Sequence, residues 1–167
     1  MINLNNLKLI AYDFDGVMTD NRVYVDQNGN ELVSCHRGDG LGINMLRKAG
    51  ITQIVISTEK NPVVSARGKK LGINVIQGVD NKKDVLVKYC DKESISIKNV
   101  LFVGNDINDL QVIESCGYTA CPADAHPTIL EKSKIILKSN GGYGVIRELA
   151  DLILFNSKEN TLWVVFV

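Results

Sequence analysis

The sequence predicts an α/β fold in which a parallel β-sheet is covered by helices on both faces. Short apolar strands alternate with amphipathic helical stretches along most of the 167 residues. Gly50, Gly72 and Gly117 each follow a helical stretch, where a left-handed C-cap residue is favoured. Because this length is ordinary for one domain, we expect residues 1–167 to form a single Rossmann-like unit.

The individual strands and helices are predicted in turn from their periodicity. Apolar runs predict five strands, at residues 7–12, 53–57, 74–77, 99–103 and 118–121. Helical spacing predicts five helices, at about residues 41–49, 62–71, 82–89, 106–115 and 144–154. Parallel sheets bind ligands at the carboxyl ends of their strands. Several of the predicted strands end there in polar residues, namely Asp13, Ser57, Asn105 and Asp106.

One segment, residues 22–36, interrupts this alternation. Two short apolar stretches flank residues 27–30, which read Gln-Asn-Gly-Asn, and an Asn-Gly pair in that setting predicts a β-hairpin. The hairpin follows the polar end of the first strand directly, so we expect it to project over the site. A two-stranded hairpin is marginally stable alone, which favours packing against another subunit or across the domain.

Composition excludes several classes of partner. Nineteen Lys and Arg residues balance nineteen Asp and Glu residues, so no bulk charge indicates nucleic acid or an anionic membrane. No apolar run approaches the roughly 20 residues of a membrane span, and the N-terminus does not resemble a signal peptide. We therefore expect a cytoplasmic protein. The apolar run at residues 162–167 suggests a docked tail or a cut-off continuation.

The four cysteines show no CxxC spacing and lie within or beside predicted strands and helices. We interpret them as buried, reduced thiols rather than as disulfides or zinc ligands. They are Cys35, Cys90, Cys116 and Cys121.

Asp13 and Asp15 follow the first strand and are separated by one residue. Alternate residues of an extended segment share a face, so the two carboxylates can converge on one point. Gly16 allows the main chain to turn away sharply. Carboxylates this close repel each other unless a cation is present, and hard oxygen ligands suit magnesium. Taken alone, the motif leaves a solvated Asp-rich turn open as an alternative.

The segment 13–20, Asp-Phe-Asp-Gly-Val-Met-Thr-Asp, resembles the first motif of the haloacid dehalogenase superfamily of phosphatases. Three further motifs of that superfamily have matches in the same order. They are Ser57 after a strand, Lys82 at a helix start with Lys83 as a neighbouring candidate, and the cluster Gly-Asn-Asp-Ile-Asn-Asp at 104–109. The similarity covers about residues 9–154 and implies a domain without a large cap.

Within that superfamily the chain is similar to a small capless branch of sugar-acid phosphatases. The branch contains 3-deoxy-D-manno-octulosonate 8-phosphate phosphatases and nonulosonate 9-phosphate phosphatases. The shared marks are the hairpin, the segment 38–43 and the segment 141–148. Residues 57–60, Ser-Thr-Glu-Lys, resemble the nonulosonate group more than the octulosonate group. The resemblance implies hydrolysis of one of these two types of sugar-acid phosphate.

The resemblance also implies a magnesium-dependent phosphoric monoester hydrolase mechanism. Asp13 would attack the phosphorus and form an aspartyl-phosphate, and Asp15 would donate and later accept the proton. Ser57 and Lys82 would hold the phosphoryl oxygens. The ligands of Mg²⁺ would come from Asp13, Asp15 through its main-chain carbonyl, and the fourth-motif residues Asn105, Asp106 and Asp109. The alternatives are that Ser57 caps the helix near residue 62 and that Lys82 is a solvated lysine.

A second set of residues is expected to bind the sugar acid, namely Asp39, Gly40, Thr58, Glu59, Arg67 and Arg147. Two of them have structural alternatives. Asp39 could cap a helix that starts near Leu41, and Arg147 could pair with Glu148 or Asp151 on its own helix. The two histidines, at positions 36 and 126, have no partner spacing for a metal or a triad, and we interpret them as surface or packed residues.

The resemblance implies a homotetramer in which hairpins assemble and a neighbour's C-terminal tail closes each site. Similar domains are also fused to acylneuraminate cytidylyltransferases. A non-catalytic oligomerisation domain that works with such an enzyme is therefore the alternative function, and the cytidylyltransferase is the partner in that case.

Asn105 departs from the pattern, because active members of the superfamily carry Asp there. An amide oxygen can bind a metal but brings no charge. We expect the change to weaken magnesium binding by on the order of 1–3 kcal/mol, unless Asp106 and Asp109 supply the charge. Asn105 therefore favours the oligomerisation alternative, whereas the intact first motif, Ser57 and Lys82 favour an enzyme.

Overall fold

The computed structural model describes residues 6–155. Six parallel strands form one sheet in the order β5-β4-β1-β6-β7-β8, and β2 and β3 form a separate antiparallel pair. The strands are β1 Leu9–Tyr12, β2 Tyr24–Val25, β3 Glu31–Leu32, β4 Thr52–Ile56, β5 Asn74–Ile76, β6 Val100–Val103, β7 Tyr118–Cys121 and β8 Ile135–Ile136. The helices are α1 Arg37–Lys48, α2 Val63–Leu71, α3 Lys82–Lys92, α4 Leu110–Ser115, α5 Pro127–Lys132 and α6 Val145–Phe155.

All five predicted strands and all five predicted helical regions are confirmed, with shifted ends. The predicted helix at 106–115 divides into a 3₁₀ turn, Ile107–Asp109, and α4. The first helix begins at Arg37, four residues before the predicted start. Neither α5 nor β8 was predicted, because elements of six and two residues carry too little periodicity to detect.

Helices cover both faces of the sheet, as predicted. Ile10 and Tyr12 of β1 pack in one core with α1, α2 and α6. Leu9 and Ala11 point to the other face and pack with α3, α4 and α5. Burying each large apolar side chain contributes about 1.5–3 kcal/mol, so these two cores hold the sheet rigidly between the helices.

The register of the central strands brings their polar ends to one edge. Tyr12, the last residue of β1, pairs with Val55 of β4 on one side and with Val103 of β6 on the other. The next residue, Asp13, donates its main-chain N–H to the Val103 carbonyl at 2.8 Å. The segments that follow β1, β4 and β6 therefore emerge side by side.

The predicted hairpin is present but its strands are short. A single bridge between Thr19 and Cys35 extends the pairing toward the sheet. Asp26 organises the turn, because its Oδ1 accepts hydrogen bonds from the N–H groups of Asn28 and Asn30. Four large apolar side chains of the hairpin are more than half exposed, namely Val23, Tyr24, Val25 and Leu32.

Two of the three predicted glycine caps are confirmed. Gly50 has φ +80° and Gly72 has φ +66°, both in the left-handed region. The prediction for Gly117 was wrong, since Gly117 is not among the residues with positive φ. Glycine is required there for a different reason, because a Cβ would collide with the main-chain carbonyl of Lys98.

The cysteine prediction is confirmed, with one qualification about burial. All four thiols are free, and Cys90, Cys116 and Cys121 are buried whereas Cys35 is half-buried. Burial raises the pKa of Cys116 to about 12. Within residues 6–155, no helix has the length and apolar character that crossing a membrane requires. The predicted apolar tail at 162–167 lies outside the described residues.

Candidate active site

Lys82 lies between two carboxylates at the edge of the sheet. Its Nζ is 2.7 Å from Oδ1 of Asp13, which follows β1, and 2.7 Å from Oδ1 of Asp109 in the 3₁₀ turn after β6. Lys82 is 2% exposed. The alternative of a solvated lysine is therefore wrong, and the neighbouring Lys83 is exposed instead.

The charges of this cluster influence one another strongly. Burial raises the pKa of Asp13 to about 7, and the nearby Asp109 carboxylate adds to the rise. Lys82 and the N–H of Phe14, which donates to Asp13 Oδ1 at 2.7 Å, act in the opposite direction. Burial alone would lower the pKa of Lys82, but the Asp13 and Asp109 carboxylates outweigh it and raise that pKa. One cation, Lys82, is thus shared by two buried carboxylates. The negative charge that remains favours the binding of a second cation.

Asp15 is half-buried and is oriented by Thr19. The Thr19 hydroxyl donates to Asp15 Oδ1 at 3.3 Å and accepts from the N–H groups of Gly16 and Asn21. Thr19 belongs to the first motif, but no role was predicted for it. Its position four residues after Asp15, on a turn that brings the chain back, is the signal that could have identified it.

The pKa of Asp15 is raised from its ordinary value. Burial is the largest cause, and the negative charges of Glu59 and Glu31 add to it. The hydrogen bond from Thr19 and the charge of Lys82 oppose the rise. A carboxyl group in such surroundings holds its proton more readily than one in water.

Ser57 ends the neighbouring strand and is buried. Its Oγ accepts from the N–H of Glu59 at 3.0 Å. It does not cap α2, where Asn61 Oδ1 accepts from the N–H of Val63 instead, so the helix-cap alternative for Ser57 is wrong. In the same loop Thr58 is exposed, and Glu59 Oε1 accepts from the main-chain N–H groups of the next two residues.

The side chain of Asn105 faces the two aspartates of the first motif. In its hydrogen-bonded orientation, Nδ2 donates to the main-chain carbonyl of Asp15 at 2.9 Å and to Oδ2 of Asp13 at 3.3 Å. Gly16 allows this approach, because it has φ +77° and a Cβ there would collide with the Asn105 amide. With the amide turned over, Oδ1 takes the place of Nδ2 at the same two distances.

The Asp13 carboxylate, the Asp15 main-chain carbonyl and the Asn105 amide together fit a magnesium ion. All are hard oxygen donors when Asn105 presents Oδ1, and magnesium with its 2.0–2.1 Å bonds places neighbouring ligand oxygens roughly 2.9 Å apart. Within the described residues, no three His, Cys, Asp or Glu side chains form a group that could hold a metal. A metal here therefore depends on the Asn105 amide and the Asp15 carbonyl as well as on Asp13.

Asp106 and Asp109 are differently placed. Asp109 is fully buried, and its two oxygens are engaged by Lys82 Nζ and by the N–H of Asn105 at 3.0 Å. Asp106 is exposed, and its Oδ1 accepts from the N–H of Ile107 at 2.7 Å. The structure thus uses Asp109 to hold the loop and Lys82 together, while Asp106 caps the 3₁₀ turn.

Asp39 and Arg147 lie together at another place. Asp39 is 2% exposed, and its Oδ1 accepts from the N–H groups of Ile146 and Arg147 at the start of α6. The alternative that Asp39 caps its own helix is wrong, because α1 is capped by His36. Arg147 Nε is 2.9 Å from Asp151 Oδ2, which is one of the two ion pairs named as the alternative to its predicted role in substrate binding.

Gly40 and Arg67 line a groove of about 830 Å³ between α1 and α2. Arg67 donates from Nη2 to the His36 carbonyl at 3.1 Å. The groove collects five cationic side chains, namely Arg37, Arg47, Arg67, Lys69 and Lys70, and its lining includes no acidic residue among those described. His36 and His126 are exposed and cap helices through Nδ1, which confirms their assignment as surface residues.

The segment at 141–142 packs against the first-motif loop. Gly142 donates to the Val17 carbonyl at 3.1 Å, and Gly141 donates to Oδ1 of Asp124 at 2.8 Å. A Cβ on either glycine would collide with the main chain of residues 16–20. Asp124 was not predicted from the sequence, because its partner Gly141 lies 17 residues further along the chain.

Comparison with known proteins identifies relatives over almost the whole chain. Residues 43–149 match the family model of the haloacid dehalogenase-like hydrolases. The 3-deoxy-D-manno-octulosonate 8-phosphate phosphatase of Escherichia coli BL21 is 34% identical over 155 residues, which cover 92% of this chain and 82% of that protein.

Solved structures of similar proteins superpose closely. The Moraxella catarrhalis 3-deoxy-D-manno-octulosonate 8-phosphate phosphatase, in complex with a magnesium ion, a phosphate ion and a KDO molecule, has a TM-score of 0.87 at 31% identity, covering 90% of this chain and 87% of that one. The cobalt-bound Haemophilus influenzae enzyme has a TM-score of 0.87 at 31% identity, covering 97% and 95%.

Proposed function

The chain belongs to the haloacid dehalogenase-like hydrolases and is a phosphoric monoester hydrolase, and we propose that it hydrolyses a sugar-acid phosphate with magnesium as its cofactor. The observation that carries the proposal is the buried Asp13, held by Lys82 and flanked by Asp15 and Asn105. A nucleophile, a proton donor and a set of oxygen ligands meet at this one edge of the sheet.

In the first step a carboxylate oxygen of Asp13 attacks the phosphorus. A bond forms between Asp13 and phosphorus while the bond from phosphorus to the sugar oxygen breaks. Asp15 gives its proton to that leaving oxygen, and its raised pKa supports this role because the carboxyl retains a proton near neutral pH more readily. Thr19 keeps the Asp15 carboxyl in place.

In the second step water attacks the phosphorus of the aspartyl-phosphate. Asp15, now ionised, takes a proton from the water, and the bond between phosphorus and Asp13 breaks to release inorganic phosphate. Lys82 and Ser57 hold the phosphoryl oxygens through both steps. When bound by Asp13, Asn105 and the Asp15 carbonyl, magnesium neutralises charge on those oxygens.

The substrate class is supported by the relatives. The Escherichia coli protein acts on 3-deoxy-D-manno-octulosonate 8-phosphate, and the Moraxella protein binds KDO, a sugar acid. The segment 57–60 keeps a nonulosonate 9-phosphate as the second substrate type. The proposed contacts to the sugar acid are at Gly40, Thr58, Glu59, Arg67 and Arg147. For Asp39, which is buried and accepts two N–H groups of α6, we propose a structural role instead.

We also propose a cytoplasmic homotetramer in which the hairpin supplies contacts between subunits. Its uncovered Tyr24 and Leu32, which lie opposite each other across the two strands, support this arrangement. The second candidate function is a non-catalytic oligomerisation domain that works with a cytidylyltransferase. Asn105 is the observation that favours it, because the change removes a metal-binding charge.

The test is magnesium-dependent release of phosphate from octulosonate 8-phosphate and nonulosonate 9-phosphate. We expect turnover by the wild type that EDTA abolishes and that Asp13→Asn lowers at least about a thousandfold, since the nucleophile is lost. Asp84→Asn, which changes an exposed aspartate on α3, is the matched control and should retain activity. Tetramers without turnover on either substrate would favour the oligomerisation domain.

A further inference from the structure

The amide of Asn105 has two chemically different ways to meet the same neighbours. As a donor, its Nδ2 bonds to the Asp15 carbonyl and to Asp13 Oδ2, at 2.9 and 3.3 Å. As an acceptor, its Oδ1 occupies the position of Nδ2 and points a lone pair toward the space beside the Asp15 carbonyl and Asp13 Oδ2. The two orientations differ by a half-turn about the last side-chain bond and fill nearly the same space, so the change needs no movement of the main chain.

The surroundings of Asn105 fix its main chain and, while no cation is bound, favour the donating orientation of its amide. Turning the amide over sets Oδ1 against acceptors and Nδ2 against donors. Its N–H donates to Asp109 Oδ2 at 3.0 Å, and its carbonyl accepts from the N–H of His126 at 2.8 Å. The residue is 9% exposed, so the side chain stays directed at the first-motif loop. An aspartate here would face the Asp15 carbonyl and Asp13 with oxygens alone, and without a cation those contacts would be repulsive.

The charges of the site also disfavour an aspartate at position 105 when no cation is bound. Asp13, Asp109 and Lys82 together carry one net negative charge when both acids are ionised. A carboxylate at position 105 would make this two negative charges in a buried space, which only a bound cation could offset. With asparagine, one net negative charge remains, and Asp13 Oδ2 and the Asp15 carbonyl already have a hydrogen-bond donor in the amide.

We infer that Asn105 makes magnesium an exchangeable ligand that the folded protein does not need for its stability. The amide ties Asp13 and the Asp15 carbonyl together by donation, and it turns over to offer Oδ1 when the ion binds. The ion must replace two hydrogen bonds and gains one charge fewer than it would with aspartate. The inference rests on the proposed magnesium-dependent function, and it adds that the ion enters and leaves during use.

The experiment compares wild type with Asn105→Asp, with Asn105→Ala, and with Asn108→Asp as the matched control. Asn108 is exposed on the same 3₁₀ turn, so its replacement adds the same charge outside the site. The measurements are the Tm in EDTA, the Tm in saturating magnesium, and the Kd of magnesium alone by calorimetry. None of them requires a sugar phosphate.

We expect Asn105→Asp to melt at least about 5 °C below the wild type in EDTA, because it leaves a buried charge without a partner. Magnesium should restore its Tm and bind on the order of 10- to 100-fold more tightly than to the wild type. Asn105→Ala should melt lower than the wild type in EDTA, since the donor is lost, and magnesium should restore little. Asn108→Asp should behave as the wild type throughout.

The inference is overturned if wild type and Asn105→Asp bind magnesium equally, or if both melt equally in EDTA. It is also overturned if Asn105→Ala is as stable as the wild type in EDTA, because the amide then contributes no donation. Failure of the proposed function looks different: it is the absence of phosphate release in magnesium by a protein whose binding and melting follow the pattern above.

Discussion

Lys82 shows how a single residue determines the state of the site. It is 2% exposed and contacts two aspartates that follow different strands. Neither Asp13 nor Asp109 has another cation within ion-pair distance among the described residues. The lysine therefore serves two purposes at once: it neutralises part of the buried acid charge and places a cation where a phosphoryl oxygen would bind.

Replacing Lys82 by methionine tests both purposes. We expect Lys82→Met to lose about 3–5 kcal/mol of unfolding free energy, because two buried carboxylates lose their partner, and to lose phosphatase activity. Chemical denaturation and phosphate release are the measurements. The control is Lys83→Met, which removes an exposed lysine one residue away and should change stability by no more than about 0.5 kcal/mol. Equal stability of the two variants would contradict a buried charge cluster.

At the scale of residues, the sequence predicted site residues that belong to recognisable motifs. It did not predict contacts between residues that are far apart in the chain. Asp13, Lys82 and Asn105 were named from ordered motifs, and in the structure Asp13 contacts both Lys82 and Asn105. The contact of the Asp39 carboxylate with α6, more than one hundred residues further along the chain, was not predicted. No local pattern records such a contact, because a buried aspartate looks the same in sequence whichever helix it caps.

Helices α1 and α6 are joined by that aspartate as well as by their apolar faces. Asp39 Oδ1 receives two N–H groups from the first turn of α6, where helix donors have no partner of their own. Burial raises the pKa of Asp39, while the hydrogen bond from Arg147 and the charge of His36 act against the rise. The two hydrogen bonds favour the ionised carboxylate, but burial disfavours it more, so the net effect of the folded surroundings is to favour the protonated form of Asp39.

The change Asp39→Ala separates this structural link from a substrate contact. We expect a loss of about 1–2 kcal/mol of unfolding free energy, the usual scale for a lost helix cap, with KM unchanged. A raised folded pKa favours the protonated form in the native state, so wild-type stability from this group is fully present below pH about 4 and falls as pH rises. The stability difference between wild type and variant should thus be larger at pH 4 than at pH 8.

The matched control for that change is Asp84→Ala, which alters an exposed aspartate in the first turn of α3. It should leave stability within about 0.5 kcal/mol of the wild type at every pH. A raised KM in Asp39→Ala with normal stability would instead support the predicted role in substrate binding.

At the scale of elements, the strands were predicted more accurately than the segments between them. An apolar strand with a polar end is visible in sequence, and β1, β4 and β6 all show it. The start of α1 was missed because residues 37–40 contain two glycines and an aspartate, which have low helix propensity. Tertiary contacts stabilise the helical conformation of residues 37–40 instead. Asp39 is held by α6, and Gly38 lies so close to His36 that a Cβ there would be crowded.

Over the whole molecule, the balanced net charge conceals two local imbalances. The edge of the sheet collects acidic groups around Asp13, and the groove between α1 and α2 collects five cations. Composition could not show this separation, since it depends on which helix faces are neighbours. The net charge of zero therefore says nothing about either region taken by itself.

The hairpin is the feature of the whole molecule that most clearly calls for a partner. Tyr24 and Leu32 form a cross-strand pair and are 64% and 67% exposed. On the other side of the hairpin, Glu31 Oε2 accepts from Asn61 Nδ2 at 3.2 Å, which holds the hairpin to the loop that follows β4. The apolar pair is thus turned away from its own domain by a contact that also fixes the hairpin beside the site.

Introducing charge at that pair tests the proposed tetramer. We expect the wild type to have a mass of about four times 18.4 kDa by light scattering, and Leu32→Asp to have the mass of a smaller species, because a buried carboxylate without a partner disfavours association. The control Asn28→Asp adds the same charge at the exposed turn and should leave the tetramer intact. Phosphatase activity should fall with the tetramer if a neighbouring subunit completes the site. A monomeric wild type with full turnover would show that the exposed pair and the neighbouring subunit are both dispensable for the reaction.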